Sequence, residues 1–272
     1  MYNFILIRAY RQEDEPFCKE LLKTGVMASL NATFIGFLSE EIALIIAVLI
    51  CTTILILIGI PILYCLMVMS IPAFAIYIFL YTTFFYKARQ IQKEVSAIPR
   101  IYMSDNTSHF WVAEAYEFYL LNRRQRDERC TFMTEEEFKE SNIDVSRHFK
   151  KIVGTIALCK NNKLQDSAWI KRFSVHKDYR RKNIGIHLVN LALQFSNEHG
   201  YKRTNVIISE YRVGAIKLFI KKGFELYLLH NKSLFTSLMT IEFHELTYRI
   251  KYYRDNELLL TNPLNVQSIP NN

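Results

Sequence analysis

Residues 42–86 carry no Asp, Glu, Lys, Arg or His across 45 consecutive positions. A helix in a soluble domain keeps one polar face for water, so an uncharged run of this length predicts an element built for a membrane. As a single helix it would reach about 68 Å at roughly 1.5 Å per residue, more than twice the ~30 Å of a hydrocarbon core. It must therefore break. Gly59, Ile60 and Pro61 lie near its middle, and Ser70, Ile71 and Pro72 offer a second point of interruption. Proline removes a backbone donor and clashes with the preceding turn. We expect two helices joined by a tight turn, forming a hairpin that either crosses the bilayer twice or re-enters from one side.

The flanks decide the parity. Phe4, Ile5, Leu6 and Ile7 read as a short strand, and the polar residues 12–15 open a helix from Pro16 to about Gly25. A lone strand is unstable, and every other strand pattern lies beyond residue 100. Both flanks are therefore expected on one side of the membrane. Lys87, Arg89, Lys93 and Arg100 follow the apolar run closely, which makes that side cytosolic.

The chain has 272 residues, half of them apolar, with 34 Lys and Arg against 26 Asp and Glu. This is too apolar for disorder and too short for a large multidomain enzyme. The formal charge of +8 is compatible with an anionic partner, but residues 117–150 mix both signs, with Arg123, Arg124 and Arg126 beside Asp127 and Glu128. That mixture argues against a nucleic acid, which needs a one-signed face. Five Cys (Cys18, Cys51, Cys65, Cys130, Cys159) form no CxxC pair and no zinc spacing with the seven His. A reducing compartment and no metal are expected. Residues 1–12 lack the pattern of a secretory signal.

Beyond the apolar run, strands are expected at 110–114, 151–158, 168–175, 204–209, from 224 onward and at 240–251. Helices are expected at about 184–199, stopped by Gly200, and 213–222, stopped by Gly223. The pattern is α/β. The chain then divides into a strand and helix at 1–41, the hairpin at 42–86, the main soluble part at 87–253 with a charged surface insertion at 117–150, and a flexible tail at 254–272.

One segment carries chemistry: Phe173, Ser174 and Val175 end a strand, and Arg180, Arg181, Lys182, Asn183, Ile184 and Gly185 lead into an apolar-striped helix. A helix start presents unpartnered amides and partial positive charge, and a residue able to adopt positive φ lets the loop wrap an anion. Asn183 and Gly185 are the permissive positions. With three cations around the same spot, the segment reads as a pyrophosphate cradle.

This stretch resembles the Arg/Gln-x-x-Gly-x-Gly/Ala loop of the GNAT acetyltransferase superfamily. Residues 214–224, ending Lys222-Gly223-Phe224, resemble its Ala-x-x-Leu-Tyr-x-x-x-Gly-Phe signature. Ile7-Arg8-x-Tyr10-x-x-x-Asp14 is similar to the family's first strand, and the inserted apolar block resembles the camello-type membrane N-acetyltransferases, which include cysteine-S-conjugate and aspartate N-acetyltransferases. The resemblance implies a GNAT acyl-CoA N-acyltransferase fold, with a mixed, mostly antiparallel sheet flanked by helices and an inserted transmembrane helical hairpin. It further implies acetyl-CoA as co-substrate, with its pyrophosphate at residues 180–185 and its pantetheine along residues 173–175. The acceptor would be a small-molecule or protein amine, and the location the endoplasmic reticulum membrane with the site facing the cytosol. A backbone N–H near Val175 would hold the developing oxyanion.

The chain departs from that pattern in places. Phe219 stands where the family commonly has Tyr, Ala168-Trp169-Ile170 where it often has Ala-Glu-Leu, Asn183 where the first loop Gly usually sits, and Arg212 where many relatives have Asn. Two readings stay open. The thiolate leaves unaided or with help from Tyr211, Ser209 or Glu210, Tyr211 being the candidate proton donor; alternatively the chain binds acyl-CoA without turnover, as a membrane-bound interaction protein. His176 and His187 are read as structural or solvated.

Overall fold

The computed structural model describes residues 3–40, 42–118, 131–141, 143–161, 164, 166–233 and 240–250. The charged stretch at 119–130 and the expected tail at 254–272 lie outside the described residues. One eight-stranded sheet, ordered β3-β1-β2-β4-β5-β6-β8-β7, organises the chain. Its strands are β1 (Phe4–Ala9), β2 (His109–Phe118), β3 (Thr131–Thr134), β4 (His148–Lys160), β5 (Ser167–Val175), β6 (Arg203–Ser209), β7 (Glu225–Ser233) and β8 (Thr240–Arg249). Neighbours are antiparallel except β1 with β3 and β5 with β6.

The helices are α1 (Glu15–Met27), α2 (Leu30–Glu40), α3 (Ile42–Leu57), α4 (Ile62–Val95), α5 (Ile98–Tyr102), α6 (Glu135–Glu140), α7 (Ile184–Glu198) and α8 (Val213–Lys221). On one sheet face Cys18, Leu21, Leu22 and Val26 of α1 join Ala88, Ile91 and Val95 of α4 over Val112, Ile152 and Ala157. On the other, Leu188, Val189 and Ala192 of α7 and Phe219 of α8 pack on Ile156, Leu158, Ile170 and Val206. Strand alternation sorts these two sets to opposite faces.

The strand before the apolar run and the strands after it share this sheet: Phe4 lies opposite Tyr116 and Ala9 opposite Trp111. Arg8 closes the junction. Its guanidinium meets Asp14 at 2.7 and 2.9 Å and Glu114 at 3.0 Å, all three side chains buried. Burial works against the Arg8 charge, but the two carboxylates outweigh it and raise its pKa.

The chain turns between α3 and α4 at Gly59, whose φ of +92° suits glycine alone. Two helices joined by one turn is the expected arrangement, and the second possible interruption, at residues 70–72, is not used. Pro72 lies inside the continuous 34-residue α4, and the hydroxyl of Ser70 bonds the carbonyl of Met67 within the same stretch. A proline can remain in an apolar helix where local side chains and packing re-satisfy the freed backbone groups. Leu49, Ile50, Ile54, Leu57, Leu63, Leu66, Met67 and Phe74 on these two helices are all more than half exposed except Ile54, which is 50% exposed.

Thr131–Thr134 pairs in parallel with β1, and Thr134 caps α6 by accepting from the amide of Glu137.

Candidate functional site

β5 and β6 run parallel only from Ser167 to Ile170 on one strand and Arg203 to Val206 on the other. Beyond that the strands part, and among the described residues the edge at 171–175 has no strand partner on the β6 side. The amide of His176 donates to Val153 on β4 at 2.8 Å. By the alternation of a strand's two edges, the N–H and C=O of Val175 then face the opening. In agreement, Nε of Arg180 donates to the Val175 carbonyl at 3.3 Å.

The loop that follows is anchored before it curls. Tyr179 is buried, donates its hydroxyl to Glu117 at 2.7 Å, and lies beneath the ammonium groups of Lys151 and Lys182 at 5.9 and 5.5 Å from its ring centre. Sequence reasoning passed over Tyr179. Arg181 and Asn183 then adopt left-handed backbone, φ 66° and 63°, and Asn183 is the N-cap of the 15-residue α7. By helix geometry the amides of Ile184 and Gly185 have no intrahelical acceptor, so they join the helix dipole in favouring an anion at this end. Arg180 and Arg181 are exposed and Lys182 half-buried around it.

Gly185 serves a purpose other than the one expected. It is helical, and the left-handed position belongs to Arg181 instead. What Gly185 provides is closeness: a Cβ there would stand 2.9 Å from Cδ1 of Leu218 and 3.0 Å from Cζ of Phe173. Ile184 is fully buried, fixing the helix start on the sheet. Phe173 in turn meets the edge of Phe219 at 5.3 Å, so this half of the cradle rests on core.

The other wall comes from α1 and α2. A Cβ on Gly25 would stand 2.5 Å from Oγ of Ser174, and one on Gly36 would stand 2.9 Å from Cδ1 of Tyr211. Arg212 spans the gap, its Nη2 donating to the carbonyl of Gly25 at 2.9 Å. Burial first, and the nearby charge of Arg180 second, lower the Arg212 pKa. Arg180 and Arg212 thus share one positive field, which favours an anion between them. The residues present fit a diphosphate-bearing coenzyme: a helix start, two left-handed positions, clustered cations and an open strand edge.

The remaining residues singled out by sequence have structural partners. Phe219 is fully buried. His176 accepts the amide of Asp178 at 3.4 Å, capping the turn Lys177–Tyr179, and His187 stacks on Phe132 at 3.7 Å. Glu210 accepts the amide of Glu242 at 2.8 Å. Among the described residues no group of three or more His, Cys, Asp or Glu is placed to hold a metal ion.

Residues 91–224, which include β5 and the loop at 180–185 but not the wall from α1 and α2, match the model of the acetyltransferase (GNAT) family. Among curated proteins the chain is similar to a probable N-acetyltransferase camello of Xenopus tropicalis, 23% identical over 169 residues, which are 62% of this chain and 59% of that protein. It is also similar to N-acetyltransferase family 8 member 3 of Rattus norvegicus, 27% identical over 143 residues, 52% of this chain and 48% of that protein. The chain thus spans about half to three fifths of the length of these relatives. Among solved structures, an acetyltransferase of the GNAT family from Staphylococcus aureus Mu50 aligns over 89% of this chain and 97% of its own, at 15% identity and a TM-score of 0.45.

Proposed function

We propose that this chain, which carries a GNAT acetyltransferase domain, is a membrane-anchored N-acetyltransferase that moves the acetyl group of acetyl-CoA to a primary amine. The observation that carries the reading is the cradle: two left-handed residues, Arg181 and Asn183, at the start of α7 beside the parted edge of β5. Acetyl-CoA would supply an activated thioester there. Arg180, Arg181, Lys182 and the amides of Ile184 and Gly185 would hold its diphosphate. The N–H of Val175 would donate to the thioester oxygen as charge gathers on it. Tyr211, on the turn after β6, is the candidate to return a proton to the departing sulfur.

The acceptor amine is an amino acid, a cysteine conjugate or a protein amino group, the class the family resemblance implies. Anchoring is supported by α4, long and apolar enough to cross a bilayer, and by the exposed aliphatic surface of α3 and α4. The sheet supports an even number of crossings, since β1 and β2 pair across the apolar run. The site would then face the cytosol, in the membrane of the endoplasmic reticulum. Phe219 favours a second reading, an acyl-CoA-binding protein without turnover, because no proton can come from that buried ring.

Calorimetry of the detergent-solubilised full chain with acetyl-CoA tests the cradle. Micromolar-scale binding is expected for the wild type and at least a tenfold loss for Arg180→Glu and Arg181→Glu; equal binding in all three would remove it. Thiol release with a panel of amines then separates the readings, since binding without release sinks the enzyme and leaves the binder.

A further inference from the structure

Arg172 lies at the bulge of β5, where the register with β4 slips between Thr155 and Ala157. Its φ is 53°, a left-handed conformation that a residue with a side chain adopts only when its surroundings impose it. Two contacts impose it. The hydroxyl of Thr155 donates to the Arg172 carbonyl at 2.9 Å. The guanidinium reaches across to α4, where Nε donates to Oε1 of Glu94 at 3.1 Å and Nη2 pairs with Oε2. Glu94 is itself held by the hydroxyl of Tyr102 at 2.7 Å.

The position of this clamp matters. The residues directly after the bulge, Phe173, Ser174 and Val175, form the parted edge that the coenzyme would line. Glu94 occupies the last turn of the same helix that supplies the apolar run. A fork of two parallel bonds fixes orientation as well as distance, so moving Glu94 rotates Arg172 and with it the amides that follow.

Resting on the acetyltransferase reading above, we propose that Glu94 is a positioning residue for acetyl transfer. Acting through Arg172, it holds the β5 bulge so that the Val175 amide meets the thioester oxygen, and it ties that geometry to the membrane helix. It touches neither substrate nor coenzyme.

The test compares wild type, Glu94→Gln, Arg172→Lys and the exchanged pair Glu94→Arg with Arg172→Glu, all as the full chain in detergent. Hydrogen exchange at the amides of Ser174 and His176, which face β4 on either side of the open Val175 amide, reads the positioning without any turnover. It should quicken at least tenfold in both single variants, with the exchange of α7 unchanged, and slow again in the exchanged pair. Steady-state rates should show kcat falling tenfold or more in Glu94→Gln while KM for the amine stays within twofold. Unaltered exchange at Ser174 and His176, or quickening equally spread over the whole sheet, overturns the inference whatever the activity. A wild type that binds coenzyme but transfers nothing sinks the acetyltransferase reading alone, because the exchange result still decides the clamp.

Discussion

The ring of Tyr211 occupies the space that a side chain at Gly36 would need, with Cδ1 2.9 Å from where a Cβ would lie. The candidate proton donor is therefore wedged under α2, the helix that immediately precedes the apolar run in the chain. Two substitutions separate the wedge from the hydroxyl. Gly36→Ala should displace the ring, lowering both the melting temperature and thiol release. Tyr211→Phe should keep the melting temperature and lower kcat by ~10²-fold, the lower end of what a positioned donor contributes. A Tyr211→Phe rate equal to wild type would retire Tyr211 from the chemistry.

Gly185 makes a second steric prediction. With Leu218 and Phe173 both within 3.0 Å of a built Cβ, Gly185→Val forces α7 away from α8 and from β5. Overpacking of this kind costs about 1–3 kcal/mol, and the same movement withdraws the amide of Gly185 from the cradle. We expect a lower unfolding midpoint in denaturant together with weaker acetyl-CoA binding by calorimetry. An unchanged midpoint would mean that the two helices are not in register at this residue.

These two glycines mark the limit of what the sequence discloses. Gly200 and Gly223 stop their helices with φ of +71° and +89°, as their place after an apolar-striped run implies, because a helix end is a local event. Asn183 is legible for the same reason. Gly25, Gly36 and Gly185 are close-approach positions inside helices, and a glycine there looks the same in sequence whether it serves a turn, a kink or a neighbour. The pair Glu94 and Arg172 is 78 residues apart, with no pattern to connect them until the sheet is assembled. Thr131–Thr134 is a four-residue edge strand with partly exposed side chains throughout, too short for alternation to stand out from the charges around it. Pro72 marks a possible break that the helix does not use, a local rule overridden within the uncharged stretch of α4.

The junction of Arg8 with Asp14 should dominate stability. Asp14→Asn leaves the guanidinium buried with one carboxylate, Glu114, where it had two. Removing one member of a buried pair costs about 3–5 kcal/mol, whereas replacing the pair by apolar residues of similar size is often neutral. Thermal unfolding should therefore be much lower for Asp14→Asn than for the triple substitution Arg8→Met, Asp14→Leu and Glu114→Gln, which leaves no charge buried at the junction while the new amide oxygen can still accept from Tyr116. The reverse order would show that the ion pair contributes stability that apolar packing of the same volume does not replace.

Acid should weaken the fold through its half-buried imidazoles. The ring of His187 stacks on Phe132, and burial first, then the charge of Lys222, push its pKa below the ordinary 6.5. His176 and His109 are lowered in the same direction, burial again the leading cause. A group lowered on folding takes up its proton more readily in the unfolded chain. Its contribution to stability is complete above pH ~6.5 and is lost as the pH falls through the folded value. The melting temperature should hold from pH 8 to 7 and decline below 6.5. His187→Gln removes one of the three titrations, so its decline between pH 6.5 and 5 should be shallower than that of wild type. In Phe132→Ala, water reaches the ring, and imidazole proton shifts followed by NMR should place the His187 pKa nearer 6.5. Parallel declines in wild type and His187→Gln would dismiss His187 as a contributor.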